Sequence, residues 1–293
     1  MMVASKWLVP LLLCPCLAFS QVADSLNTVN KKRLRTFTIG GTVAYSATLV
    51  GLNHLWYSDT ESQAFRFFND NGEWKQVDKL GHFFSSYYFS YGTSRALRWC
   101  NVEPKKSDLI GSLVGFGIML PIELMDGYSA AYGASAGDII ANAAGSAFFL
   151  GQSRLWNEIR IHPKFSFHRT DYAEMRSDVL GNDLPSELLK DYNGQTFWLS
   201  FDMDKFIKFP RWLNIAAGYG AEGMIYARDY QNAEAGYGEP YRQYYLSIDF
   251  DLRSIKSRSK AVNTLLFFAN MIKIPAPTLE FSKDGVKFKA LYF

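Results

Sequence analysis

An α+β fold is what this sequence predicts: a four-helix, membrane-type bundle followed by an antiparallel sheet of about five strands. Three observations carry that expectation. From Thr36 to Trp156 the chain is apolar in four blocks, each near the ~20 residues that cross a bilayer or run deep in a core. After Gly194 the apolar period switches to two, the alternation of strands with one apolar and one polar face. Aromatic residues make up 16% of the chain, which suits contact with a lipid interface.

The N-terminus reads as an export signal, residues 1–20. Met1–Lys6 is a short basic start, Trp7–Leu17 an apolar core, and Ala18-Phe19-Ser20 places small residues where signal peptidase cleaves. The mature chain then begins near Gln21. Cys14 and Cys16 lie inside this signal and lack a small residue just before them, so neither makes a lipoprotein box. Its removal leaves Cys100, which has no partner for an internal disulfide. A net charge of +3 is too small to imply nucleic acid as a partner.

Residues 21–156 hold the bundle. Its blocks are "TFTIGGTVAYSATLVGLNHLWY", "LGHFFSSYYFSYGTSRALRW", "SDLIGSLVGFGIMLPIELMDGY" and "SAGDIIANAAGSAFFLGQSRLW". Gly, Ser and Thr are scattered through all four, and polar faces at helical period are mostly missing, which favours membrane over water. A soluble bundle is the alternative, because apolar segments of this kind are ambiguous by period alone. Ala141, Ala144, Gly145 and Ala147 are small residues suited to close helix approach. The mild hydrophobicity of the blocks lets them pass the inner membrane, so the outer membrane is expected ahead of the inner one.

Residues 157–194 form a polar connector with at most one short helix. In 195–293, Phe197, Leu199, Phe201 and Met203 alternate with Trp198, Ser200, Asp202 and Asp204, and "QYYLSIDFDL" alternates in the same way. "SFDMD" and "SIDFD" form a small pseudo-repeat. Its aspartates read as a solvated or lumen-facing strand surface, with a cation site across adjacent strands as the sharper alternative. So few strands fall short of the ~8 of a membrane barrel, so the sheet either covers the bundle or completes a structure with another chain. Arg253, Lys256, Arg258 and Lys260 precede an apolar run, either an interfacial helix on anionic lipid or an ordinary connection. The terminal Phe293 after an alternating strand resembles an outer-membrane assembly signal.

Ionisable residues inside the apolar blocks are the candidate site. Asp78, Lys79 and His82 open the second block, Glu123 and Asp126 share a face in the third, and Asp138 and Asn142 share one in the fourth. Charges at such depth are costly and converge on one another. The order "DKLGHF", "ELMDG", "SAGDIIANAAG" resembles the YfiM-like family of bacterial envelope proteins and, more distantly, the VanZ-like membrane proteins, over Asp78 to Gly145. The strand half is similar to the longer members found in Bacteroidetes-type bacteria. The resemblance implies placement in the envelope and brings no activity with it.

Three roles fit the cluster. In the first it is structural: Asp78 caps the second helix, Ser135 and Asp138 form a capping box, and Glu123 is a buried partner for Lys79. In the second, His82 joins two or three of the carboxylates around a metal. In the third, His82 or Glu123 accepts a proton from a lipid-linked or headgroup substrate, while Lys79 stabilises an anionic oxygen. No nucleophile motif supports a hydrolase, and no cofactor is identified. The expected role is therefore a structural or accessory component of an envelope assembly, with membrane lipid and an envelope protein as partners and the hydrolase as alternative.

Overall fold

The computed structural model describes residues 29–57 and 60–292. The signal reading, with Cys14 and Cys16, and the reading of Phe293 lie outside them. The fold is α+β, helices first and a six-stranded antiparallel sheet after them. The chain divides into two compact units, one running up to Asp70 and resuming at Ser85–Leu155, the other comprising Asn71–Phe84 and Trp156–Phe293.

The first unit contains α1 (Lys31–Trp56), most of α2 (Val77–Trp99), α3 (Pro104–Tyr128) and α4 (Ala136–Trp156). Asn30 caps α1 by accepting the Arg33 N–H at 3.0 Å. Pro104 opens α3, where its missing N–H costs nothing. The helices are held by small and hydroxylated residues. Ser86 and Ser90 of α2 meet Ser146 of α4 at 2.5 and 3.1 Å, and Ser112 of α3 donates to the Ser146 carbonyl at 3.0 Å. A Cβ on Gly111 or Gly115 would overlap the α2 backbone around Ser90, so glycine is what lets α2 and α3 touch. Close approach thus falls to these two glycines. Of the four small residues expected to supply it on α4, Gly145 is buried, Ala141 is half-buried, and Ala144 and Ala147 are exposed.

The outside of this unit is aliphatic. Val43 is 64% exposed, Leu113 63% and Ile140 68%. A helix in water buries such residues and presents its serines; here the arrangement is reversed. One end of the unit is also basic. The start of α1 ("KKRLR"), Arg95 and Arg98 near the end of α2, Lys105 and Lys106 at the start of α3, and Arg154 near the end of α4 gather there. Arg33 donates to the Trp99 carbonyl at 2.9 Å, and Arg154 to that of Lys105 at 3.1 Å.

The second unit is a curled meander in the order β1 to β6: β1 (Ile161–Phe167), β2 (Gln195–Phe201), β3 (Leu213–Glu222), β4 (Tyr241–Phe250), β5 (Ala276–Ser282) and β6 (Gly285–Tyr292). The stretch expected as a connector supplies β1 and three short helices, α5 (Tyr172–Met175), α6 (Ser177–Leu180) and α7 (Leu184–Lys190). Two more helices, α8 (Asp229–Glu234) and α9 (Lys260–Ala269), lie between strands. The free edge of β1 is sealed by the segment before β5: the Phe165 N–H donates to Met271 and its carbonyl accepts from Lys273, both at 2.9 Å.

Register sorts the two faces. Phe197, Tyr219, Tyr244, Phe281 and Val286 form one cross-strand row, and Leu199, Ala217, Leu246, Leu279 and Phe288 another. Both rows lie on the outer face. Inward point Thr196, Trp198, Ser200, Asn214, Tyr245, Ser247, Asp249, Thr278 and Glu280, all buried. On β1 to β3 the outer rows are covered by the start of α2, where Phe84 packs on Phe165 and Phe197. Of the pseudo-repeat aspartates, Asp202 and Asp249 are therefore not on a solvated surface; they are buried in the interior and paired there with His162, Arg253 and Lys164. Asp204 and Asp251 are half-buried beyond the strand ends, and Asp251 pairs with Arg253.

Candidate functional site

Ser135 organises the carboxylates of the helical unit. Its N–H donates to Glu123 Oε2 at 3.1 Å and its hydroxyl to Asp70 Oδ1 at 2.6 Å, while the Asp138 N–H donates to that hydroxyl at 3.1 Å. This last bond is the N-cap of α4 that the S-x-x-D spacing implies, and it places Asp138 where the helix dipole favours negative charge. Glu123, Ser135, Asp138 and Asn142 are all buried. Asp126, one turn beyond Glu123, accepts from the Tyr57 hydroxyl at 2.6 Å. The Asn142 carbonyl accepts from Ser86 at 2.6 Å. Chemically, the node sets carboxylate oxygens on one amide and one hydroxyl. Such a set can share a proton, or offer hard oxygen donors to a cation.

Asp78 and Lys79 stand in the first turn of α2, their side chains 3.0 Å apart and both largely buried. His82 follows one turn later, and Ser86 one turn after that, on the same helix.

Sequence reasoning missed Asp70 and a second polar node. Asp70 lies in a loop with no periodicity to flag it. In the second node Asp108 accepts from Arg98 at 2.6 and 2.7 Å and from Ser94 at 2.5 Å, and it is also bonded by Ser153. The i, i+4 spacing of Ser86, Ser90, Ser94 and Arg98 was the available signal.

The sheet interior is ionic. Lys164 Nζ lies 2.6 Å from Asp249 Oδ2, with both side chains 0% exposed. Asp202 receives His162 at 3.2 Å, Arg253 at 2.8 Å and Asn214 at 2.8 Å. Burial alone would raise the Asp202 pKa, but the His162 bond, the charges of His162 and Arg253, and the Asn214 bond outweigh it and hold the carboxyl at about 2. Burial pushes Lys273 the other way, down to about 8, against the attraction of Asp249. Trp198, Tyr245 and Tyr292 fill the remaining space, with Lys273 5.1 Å from the Trp198 ring. On the outer face, an apolar cavity of about 370 Å³ lies among Leu80, Phe83, Phe84, Phe197 and Leu199.

Residues 66–151 match the model of a family described as predicted periplasmic lipoprotein (DUF2279). The match is less than a third of the chain, yet it takes in Asp70, Asp78, Lys79, His82, Glu123, Asp126, Ser135, Asp138 and Asn142. It supports an exported protein of the cell envelope. No curated protein and no solved structure matches the chain.

Proposed function

We propose that this chain is an envelope-membrane protein whose helical unit is bathed in lipid, and that it serves as a structural or accessory component of an envelope assembly. The YfiM-like order of its polar residues and an outer-membrane location belong to the same reading. The observation that carries it is the inverted helical unit: hydroxyls and carboxylates inside, branched aliphatics outside, and basic residues gathered at one end. Lipid removes the reason to bury aliphatics and leaves small residues and hydroxyls to join the helices. Exposed valine and isoleucine then cost nothing, and the basic end suits anionic headgroups.

In this reading the Ser135 node fixes the start of α4 against the end of α3. In the same reading Asp78 and Lys79 pair with each other in the first turn of α2. A second reading is favoured by one observation, the convergence of the Glu123 and Asp70 carboxylates on Ser135, the cap of the helical turn that carries Asp138. That reading is acid–base hydrolysis of a lipid-linked or headgroup substrate, with His82 or Glu123 as proton acceptor.

Alkaline carbonate washing of membranes holding the full chain tests the location, and release into the soluble fraction refutes it. Glu123→Gln, Asp138→Asn and His82→Ala separate the roles. A structural node predicts lower abundance and an earlier unfolding transition for all three. A hydrolase predicts normal abundance together with loss of headgroup release from phospholipid or prenyl-diphosphate substrates.

A further inference from the structure

The outer face of β4 to β6 has no cover among the described residues. Tyr244 is 53% exposed and Phe288 68%, with Leu246, Leu279 and Phe281 between them in register. The same rows on β1 to β3 are sheltered by Leu80, Phe83 and Phe84. An antiparallel sheet in water keeps its apolar face inward. This one turns its charged residues in, beside Trp198, Tyr245 and Tyr292, and turns Tyr244, Leu246, Leu279, Phe281 and Phe288 out, an apolar-out, polar-in alternation like that of strands that face hydrocarbon.

We infer that the outer face of β4 to β6 is a lipid-contacting surface, seated against the acyl chains of a bilayer with anionic headgroups at one end of the strands. The charge distribution selects this occupant. The loops following β2 and β4 carry Lys205, Lys208 and Arg211, then Lys256, Arg258 and Lys260, all exposed at the same end of the sheet. Trp212 stands exposed beside them and stacks on Phe250 at 6.0 Å, the position of an interfacial aromatic. From the basic collar runs α9, capped by Ser259 and exposing Val262, Leu265 and Phe268. An apolar helix face following a basic segment is the design of an interfacial anchor. The dimensions agree as well. β4 has ten residues and spans ~34 Å, enough to pass the ~25 Å apolar band of strands in lipid. The inference extends the envelope-membrane reading from the helices to the sheet and rests on that reading.

The test uses the full chain with Cys14→Ala, Cys16→Ala and Cys100→Ala in vesicles of phosphatidylcholine and phosphatidylglycerol carrying brominated acyl chains. A fluorophore is placed on a single cysteine at Leu246, Phe288, Val43 or Asp229. Quenching at Leu246 and Phe288 comparable to that at Val43, with none at Asp229, is the expected result. Quenching at Val43 but not at the two sheet positions overturns the inference and leaves the helical reading standing. Quenching at the sheet positions alone supports the inference and overturns the helical reading. A probe at Leu246 shielded from bromine, with emission that shifts as protein concentration rises, assigns the face to a second copy and also overturns it. Lys256→Gln with Arg258→Gln and Lys260→Gln should weaken binding to phosphatidylglycerol-containing vesicles roughly a hundredfold, at about 1 kcal/mol per lost cation. Equal binding by this variant refutes the headgroup collar.

Discussion

The helical and the sheet units both hide polar groups and show apolar ones, yet they hide different chemistry. The helical interior is stitched mainly by hydroxyls, Ser86, Ser90, Ser112 and Ser146, with carboxylates at the Ser135 and Asp108 nodes and at Asp126 beside Tyr57. The sheet interior holds the Lys164–Asp249 pair and the Asp202 group of His162, Arg253 and Asn214. The contrast follows from the backbone. A helix satisfies its own N–H and C=O groups, so neighbours approach until serine and glycine fill the gap. A curled sheet encloses a wider space, which long side chains must span. Long polar side chains in that space require partners, because an unpaired buried charge costs several kcal/mol.

The sharpest way to break this comparison is to remove one half of the buried pair. Lys164→Met should destabilise the sheet unit by about 3–5 kcal/mol, because Asp249 is left charged and enclosed. Chemical unfolding in detergent measures it, and Lys164→Met with Asp249→Leu should recover most of the loss. A double variant no better than the single one would mean that the pair does more than fill space.

Acid should then separate the two interiors. Asp202 ionises at about 2 in the folded chain and near 3.9 when unfolded. The unfolded state therefore binds the extra proton between those values, and stability falls as the pH drops from about 4 to about 2. The amount at stake is about 2 kcal/mol. Unfolding midpoints across that range check it, and Asp202→Asn should remove Asp202's share of the slope. Lys273 acts at the other extreme. Its folded value of about 8 lies below the usual ~10.4, so this group should make the fold more stable as pH rises between the two.

The smallest effect belongs to the helices. Ser146→Ala removes a hydroxyl that meets Ser86 and Ser90 and should cost about 1 kcal/mol. Thermal unfolding reads it, and a cost near that of Lys164→Met would erase the distinction between the units.

How far the sequence foretold this depends on what each residue had to reveal. Block length gave the four long helices, and S-x-x-D spacing gave the start of α4. Period two located strands from Gln195 onward, but alternation is symmetrical and does not say which face is inside. The pseudo-repeat aspartates were for that reason expected on a wet surface. β1 escaped notice because "IHPKFSF" carries a proline, a histidine and a lysine. Pro163 is tolerated on the terminal strand of the sheet order. His162 and Lys164 need partners supplied from Asp202 and Asp249, far along the chain. Asp70 joins the Ser135 node only through tertiary folding, which no local pattern announces.

The clasp of residues 271–273 on β1 sets an order of events. Phe165 completes its backbone bonds only with a segment made about a hundred residues later, and such distant closure is slow. Until α9 and that segment arrive, Lys164 has an open edge beside it. A sheet unit that cannot zip itself shut from its beginning keeps that edge open until residues 271–273 have been made.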